Sequence, residues 1–177
     1  MLQTFKIIPF RQNHVIDSIR GEFEICEQQI TISYQLSGRI DDVCWPDRQV
    51  PPTRESGLWK RTCLEFFIGP NKSPNYWEFN LSPSGNWNCF SFSDLRCDMQ
   101  ESQALTLSSF SCDIEKNNVA CTAKIDCQDI TLEDVRVGVS AVIEHKSGFS
   151  YYALAHGPAA VTHSPDFHAR ENHLLLL

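Results

Sequence analysis

Short segments in which apolar and polar residues alternate recur along most of the chain. A period of two is typical of strands with one buried face, and these segments are rich in β-branched and aromatic residues and end at Gly, Pro or Asn. They comprise residues 30–36, 58–68, 76–82, 86–93, 104–114, 119–127, 135–145 and 149–155, with 5–10 and 173–177 as further edge or closing strands. One helix-start signal, Thr-Leu-Glu-Asp at 131–134, is long enough for a single turn.

The spacing of these strands predicts the fold class. About ten short strands separated by regular turns are typical of an all-β, antiparallel β-sandwich of jelly-roll or immunoglobulin-like form, with minimal helix. A chain of 177 residues without internal repeats or a low-complexity linker fits a single domain over residues 1–177. Two long connections, residues 38–57 and 156–172, are the segments in which functional residues are expected.

Successive side chains of a strand point to opposite sides, so each predicted strand can be divided into two faces. Trp77, Phe79 and Leu81 share one face, which we expect to pack in the core together with Phe90 and Phe92 of the next strand. The opposite face of these strands carries charged residues, and one interpretation is that they form cross-strand ion pairs on a solvent-exposed surface. Tryptophans on the same polar face indicate a binding surface instead. The candidate residues on that face are Trp59, Arg61, Glu65, Glu78, Asn80 and Trp87.

Histidines provide a second group of candidate residues. His156 ends a predicted strand, and His163 and His168 lie with Asp166 in the loop sequence HSPDFH. Such a group permits a metal site or acid–base chemistry, and two glutamates of the polar sheet face permit glycosidase chemistry. No nucleophile elbow, zinc-protease motif or phosphate loop accompanies them. We therefore expect His156 and His168 to contact a ligand, without catalysis and without a metal.

Composition narrows the classes of partner. The net charge is −7 and the fifteen basic residues are scattered, which argues against a nucleic-acid surface. No apolar run approaches the roughly 20 residues of a membrane helix, and the N-terminal segment lacks the pattern of a signal peptide. We therefore expect a cytoplasmic protein that binds neither nucleic acid nor membrane.

The eight cysteines have no Cys-x-x-Cys spacing, which argues against a zinc ribbon or a redox motif. In a reducing cytosol all eight are expected to be free thiols. A hairpin that turns at Glu-Lys-Asn-Asn, residues 115–118, would place Cys112 opposite Cys121.

Two consecutive strands resemble those of the DOMON-like group related to family-9 carbohydrate-binding modules. In that group an aromatic–x–x–[Asp/Cys]–x–Glu–x–Phe strand precedes a strand and turn of the form Tyr-x-Glu-x-Asn-x-Ser-Pro-x-Gly. The matching positions are Trp59, Cys63, Glu65, Phe67, Tyr76, Glu78, Asn80, Ser82, Pro83 and Gly85. Residues 153–177 resemble the closing loop and last strand of the group.

The resemblance implies a β-sandwich that holds a small ligand on one sheet face. The ligand is a sugar in the carbohydrate-binding members and haem in some redox members. Family-9 modules stack a sugar between two tryptophans, one from the closing loop, where this chain has Phe167 flanked by histidines.

We predict a non-catalytic domain that binds a small carbohydrate-like ligand and needs no cofactor. Trp59 and Trp87 would act as apolar platforms, and polar side chains of the same face and a loop histidine would donate and accept hydrogen bonds. The alternative hypothesis is a haem-binding redox domain of the DOMON type, with Met99 and a histidine as axial ligands. A third hypothesis is a hydrolase that uses carboxylates and histidines, drawn from Glu65, His156, Asp166 and His168.

Overall fold

The computed structural model describes residues 1–157 and 165–177, and these residues form twelve strands. The strands are β1 Leu2–Pro9, β2 Ile16–Cys26, β3 Gln29–Gly38, β4 Cys63–Pro70, β5 Tyr76–Leu81, β6 Trp87–Phe92, β7 Gln100–Glu101, β8 Leu105–Ile114, β9 Asn118–Cys127, β10 Val135–His145, β11 Gly148–Ala153 and β12 Leu175–Leu176. Three single-turn 3-10 helices cover Ile40–Asp42, Leu58–Lys60 and Arg170–Asn172. The prediction of an all-β fold with minimal helix is confirmed. The prediction of a helical turn at 131–134 is wrong, because that segment has no regular secondary structure.

The strands form one antiparallel sheet in the order β7-β6-β5-β4-β10-β11-β1-β2-β3-β9-β8, with β12 paired to β10. The sheet is continuous because β1 pairs with β2 through residues 2–7 and with β11 through Ile8 and Pro9. This differs from the predicted sandwich of separate sheets. The sheet curls so that its two halves share one core, where the rings of Phe23 in β2 and Phe66 in β4 lie 5.4 Å apart.

All three aromatic residues of β6 lie on the opposite side from the one we predicted. Trp87 pairs with Leu81 of β5, so it faces the core, whereas Phe90 pairs with Glu78 and points away from it. Trp87 is 7% exposed and stacks on Phe79 with ring centroids 5.5 Å apart. The assignment of Trp87 to the ligand face is therefore wrong, as is that of Phe90 to the core. Alternation could not decide the matter because both faces of this strand are apolar.

Phe92 follows Phe90 onto the face away from the core. Trp77, by contrast, packs against the core on the predicted side, although it is only partly buried. The face prediction therefore holds for β5 and fails for β6.

The predicted hairpin is present, and it changes the state of two cysteines. Cys112 in β8 lies directly opposite Cys121 in β9, and the two form a disulfide. The expectation of eight free thiols is wrong for this pair because the hairpin register brings the two side chains together. The other six cysteines are free.

Truncation of Trp87 and of Trp59 should have unequal effects on stability. Trp87→Ala leaves a cavity beside Phe79 and removes the ring under the Arg54 guanidinium, which lies 4.2 Å from its centroid. We expect it to lower the free energy of unfolding by about 3–5 kcal/mol. Trp59→Ala, at a partly buried position, should cost less than half of that. Urea denaturation of both variants measures the difference, and equal losses would contradict the burial assigned to Trp87.

Thiol titration should separate the cysteines into three classes. Three of them are exposed and should react in the native protein, namely Cys26, Cys44 and Cys97. Three are buried and should react only after unfolding, namely Cys63, Cys89 and Cys127. The remaining two should react only after reduction. Eight reactive thiols in unreduced, unfolded protein would disprove the Cys112–Cys121 bridge.

Candidate ligand-binding site

The candidate site lies on the face of β4, β5, β6 and β10 that points away from the core, here called the outer face. β4 is buried on both sides, from Cys63 to Gly69. Side chains of the outer face form a second apolar cluster of Phe67, Tyr76, Phe90 and Phe92, against which Trp59 and Phe167 pack. An outer face with this much buried apolar surface must be covered, and residues 165–177 contribute to that cover.

The closing segment, residues 165–173, contacts the sheet closely at two glycines. A Cβ atom on Gly138 of β10 would lie 2.3 Å from the His173 ring, and one on Gly69 of β4 would lie 2.5 Å from the Arg170 guanidinium. His173 donates a hydrogen bond from Nε2 to the Phe167 carbonyl at 2.9 Å and stacks on Phe67. The absence of side chains at these two positions therefore lets the segment lie directly on the strands.

Arginines hold the same segment by hydrogen bonds to the backbone. Arg170 donates to the carbonyls of Pro70 at 2.7 Å and Asn75 at 3.0 Å, which lie at the ends of β4 and of its connection to β5. Arg136 of β10 in turn donates to the Arg170 carbonyl at 3.1 Å. These bonds fix where Phe167 and His168 lie above the sheet.

A cavity of about 460 Å³ remains between the closing segment and the outer face. Its volume lies within the range typical of small-molecule sites, and its lining combines aromatic rings with a few polar groups, which is also typical of such sites. The lining residues are Trp59, Glu65, Phe67, Glu78, Phe92, Arg96, Met99, Val142, Tyr151, Pro165, Phe167 and His168.

Glu65 contributes a buried carboxyl group to this cavity. It is 3% exposed, and Ser140 of β10 donates a hydrogen bond to its Oε2 atom at 2.9 Å. Burial, followed by the charge of the nearby Glu78, raises the pKa of Glu65 to about 8 against smaller opposing effects of Ser140 and the Cys63 thiol. Glu65 is therefore largely protonated at neutral pH.

Glu78 contributes a second buried carboxyl group, which lies in a chain of polar side chains. Asn80 donates from Nδ2 to its Oε1 atom at 2.8 Å, and His168 Nε2 lies 3.6 Å from its Oε2 atom. Burial raises the pKa of Glu78, with partial compensation by Asn80 and Arg96. Asn80 is fully buried, so its hydrogen bond holds the Glu78 carboxyl group in place from within the protein.

His168 is neutral, and its neighbours define its tautomer. The Arg96 backbone N–H donates to Tyr76 Oη at 3.2 Å, which leaves the Tyr76 hydroxyl to donate to His168 Nδ1 at 2.7 Å. The ring proton then resides on Nε2 and faces Glu78. Burial, followed by the charge of Arg96, lowers the pKa of His168 to about 4. The contact with Glu78 is therefore not an ion pair at neutral pH.

The arginine at the cavity is itself paired. Arg96 Nη2 lies 2.8 Å from Asp166 Oδ1, and the same oxygen accepts the backbone N–H of His168 at 3.1 Å. Asp166 thus connects the closing segment to the connection that follows β6.

The structure brings four of the predicted site residues together at the cavity, namely Trp59, Glu65, Glu78 and His168. Trp59 reaches it from the 3-10 turn before β4, not from a strand. Arg61 is exposed and does not line the cavity. His156 lies elsewhere, with Nε2 bonded to the Ile8 carbonyl and its ring against Phe10. His163 lies outside the described residues.

Several lining residues were not among the predicted site residues. Phe92 was assigned to the core, and Tyr151 of β11 was not assigned to a ligand site. The alternation of β11 could have identified Tyr151, because its neighbour Tyr152 is buried in the core. Val142 and Arg96 carry no pattern in the sequence that indicates a site.

The geometry bears on the alternative chemistries. Met99 and His168 both line the cavity, but both ring nitrogens of His168 already face Tyr76 and Glu78, so haem ligation would require those contacts to break. Among residues 1–157 and 165–177 no group of three or more His, Cys, Asp or Glu side chains is arranged to hold a metal. In the same residues no helix is long and apolar enough to cross a membrane.

Proteins of known structure share the fold at low sequence identity. A candidate carbohydrate-binding protein from Bacteroides uniformis aligns with a TM-score of 0.63 and 11% identity over 97% of this chain and 84% of its own. A family-9 carbohydrate-binding module from Caldicellulosiruptor kristjanssonii in complex with cellotriose aligns with a TM-score of 0.57 and 6% identity, over 86% of this chain and 72% of its own. Its complex with glucose gives 0.51 and 6%, over 77% and 66%. No protein-family model matches the chain, and no curated protein matches it in sequence.

The raised pKa of Glu65 predicts that stability depends on pH above neutrality. Its pKa of about 8 in the folded protein exceeds the value of the unfolded chain, so its contribution is present at low pH and is lost as the pH rises through 8. From about pH 7 to about pH 8.5 the free energy of unfolding should fall by about 1 kcal/mol. Glu65→Gln should remove most of this decrease, as measured by urea denaturation at both pH values.

The matched control is Glu24→Gln, at an exposed position of β2. It changes the net charge equally and should leave the decrease intact. A decrease of the same size in Glu65→Gln would show that Glu65 does not titrate in this range.

Proposed function

We propose that this chain is a non-catalytic domain that binds a small carbohydrate in the cavity of the outer face. The observation that carries the proposal is the combination, in one cavity, of aromatic rings with two buried carboxyl groups and the partly buried imidazole of His168. Sugars present both C–H surfaces, which pack on aromatic rings, and hydroxyl groups, which donate and accept hydrogen bonds. A cavity with both kinds of group suits such a ligand.

Trp59 and Phe167 are the proposed packing surfaces. Trp59 comes from the turn before β4 and Phe167 from the closing segment, and both are partly buried against the aromatic cluster of the outer face. Phe167 also packs against the neighbouring Leu58–Val142 cluster. These rings are held in place before a ligand arrives, which lowers the conformational cost of binding.

The polar groups of the cavity orient the ligand through hydrogen bonds. Protonated Glu65 has a hydroxyl proton to donate to the ligand and an oxygen to accept. Glu78 already accepts a hydrogen bond from Asn80, and His168 already accepts one from Tyr76, so these two groups are held in fixed orientations. A sugar site of millimolar to micromolar Kd needs a net of only about 4–8 kcal/mol. One packed ring and a few such hydrogen bonds are sufficient for that.

The comparisons support the proposal at the level of the fold. Two of the similar structures are family-9 carbohydrate-binding modules in complex with glucose and cellotriose, and a third is a candidate carbohydrate-binding protein. Fold alone does not determine function, so the cavity has to carry the argument. We further propose a DOMON-like relation, since Glu65, Phe67, Tyr76 and Glu78 of the shared two-strand motif lie together on the outer face.

A sugar screen by isothermal titration calorimetry tests the proposal. The screen covers mono- and disaccharides, including glucose and cellobiose. At least one of them should bind with a Kd in the millimolar to micromolar range. Trp59→Ala should weaken that binding at least about tenfold, because it removes a packing surface of the cavity.

Trp77→Ala is the matched control, since Trp77 is also a partly buried tryptophan but lies on the core side of β5. It should leave the affinity within about twofold of wild type once the protein is shown to be folded. Failure of every sugar to bind, or an equal loss in both variants, would contradict the proposal.

A further inference from the structure

One oxygen of Glu65 lacks a partner. The side chain is 3% exposed and lines the cavity, yet among the described residues Oε1 has no hydrogen-bond partner. Burial of an unpaired polar oxygen is costly, so native proteins rarely leave one without a bonded group or ligand. A group bound in the cavity would therefore supply the partner that Oε1 lacks among the described residues.

Among the described residues, no unpaired lysine or arginine lies beside the two carboxyl groups. Arg96 is the only lysine or arginine among the described residues that line the cavity, and its guanidinium is bonded to Asp166. His168, which faces Glu78, is neutral because burial lowers its pKa to about 4. Within the described residues the cavity thus holds two carboxyl groups whose ionised forms no free positive charge stabilises.

The walls of the cavity suit a cation as well as a sugar ring. Five aromatic side chains line it: Trp59, Phe67, Phe92, Tyr151 and Phe167. Aromatic faces attract ammonium groups through the ring quadrupole, and the attraction is stronger where water is excluded. Carboxyl groups surrounded by aromatic rings are therefore a favourable environment for a bound ammonium group.

We propose that the ligand is an amine-bearing sugar, whose protonated amine occupies the position facing Glu65 Oε1 and supplies the positive charge that the Glu65 and Glu78 carboxyl groups lack. This inference rests on the proposed function and specifies its ligand class. A hydrogen bond between an ammonium group and a carboxylate is roughly twice as strong as a neutral one, so an amine should be preferred over a hydroxyl group at this position.

Proton balance provides a readout that packing alone would not change. Free Glu65 is mostly protonated at neutral pH because its pKa is about 8. A bound ammonium group stabilises the carboxylate form, so the Glu65 proton passes to the solvent when the amino sugar binds. Glucose carries no charge and should bind without proton release.

The experiment is isothermal titration calorimetry at neutral pH with three sugars of one ring type: glucosamine, glucose and N-acetylglucosamine, whose amine is neutralised. Glucosamine should bind at least about tenfold more tightly than either of the others. Titration in two buffers of different ionisation enthalpy should show proton release with glucosamine and none with glucose.

Variants assign the preference to the carboxyl groups. Glu65→Gln should lower the affinity for glucosamine more than that for glucose, so that the ratio of the two falls toward one, and should abolish proton release. Glu78→Gln should lower the ratio in the same direction. Glu24→Gln, an exposed site on β2, makes the same change in net charge and should preserve the ratio. Melting temperatures identify any variant that fails to fold, and Glu65→Gln and Glu78→Gln provide independent tests.

The outcomes separate the two proposals. If glucose binds as tightly as glucosamine, the amine inference is wrong while the carbohydrate-binding proposal stands. If none of the three sugars nor any other sugar binds, the proposed function itself fails. A preference for glucosamine that survives both Glu65→Gln and Glu78→Gln would overturn the assignment to these carboxyl groups.

Discussion

Burial of β4 on both faces is the constraint on which the rest of the structure depends. One face packs against the second half of the curled sheet, where Phe66 meets Phe23. The other face carries Phe67 and Glu65 and requires its own cover. The closing segment provides that cover, approaches the sheet most closely at Gly69 and Gly138, and leaves a cavity beside these contacts. Both the core and the candidate site therefore follow from the position of one strand.

Much of this arrangement can be read from the sequence of β4 and β5. Alternation places Glu65 and Glu78 on the side away from Phe66 and Phe79, and the structure has them there. On both strands the apolar and polar residues alternate clearly, so each strand indicates its core side by itself. The Cys112–Cys121 pairing followed from a turn in the same way. Fold class and the carboxyl groups of the cavity were thus within reach of local patterns.

Other features depend on contacts that no local pattern records. Every residue of β6 but one is buried, so the period of two contains no information about which side faces the core, and Trp87 was misplaced. β2 was not predicted because charged residues and Gly21 interrupt its apolar positions, although Phe23 and Ile25 are core residues. The rings that line the cavity come from the turn before β4, from β4, β6 and β11, and from the closing segment, which only tertiary packing brings together. Long-range contacts override local preference at each of these places.

The two glycines beneath the closing segment have a further consequence. Gly138 and Gly69 allow His173 and Arg170 to lie directly on the strands, and neither glycine is among the described residues that line the cavity. Changes in backbone bulk at these positions would raise or tilt the roof while the aromatic and carboxyl side chains stayed the same. The dimensions of the cavity and the chemistry of its lining therefore depend on separate sets of residues, so that substitution can change one without altering the other.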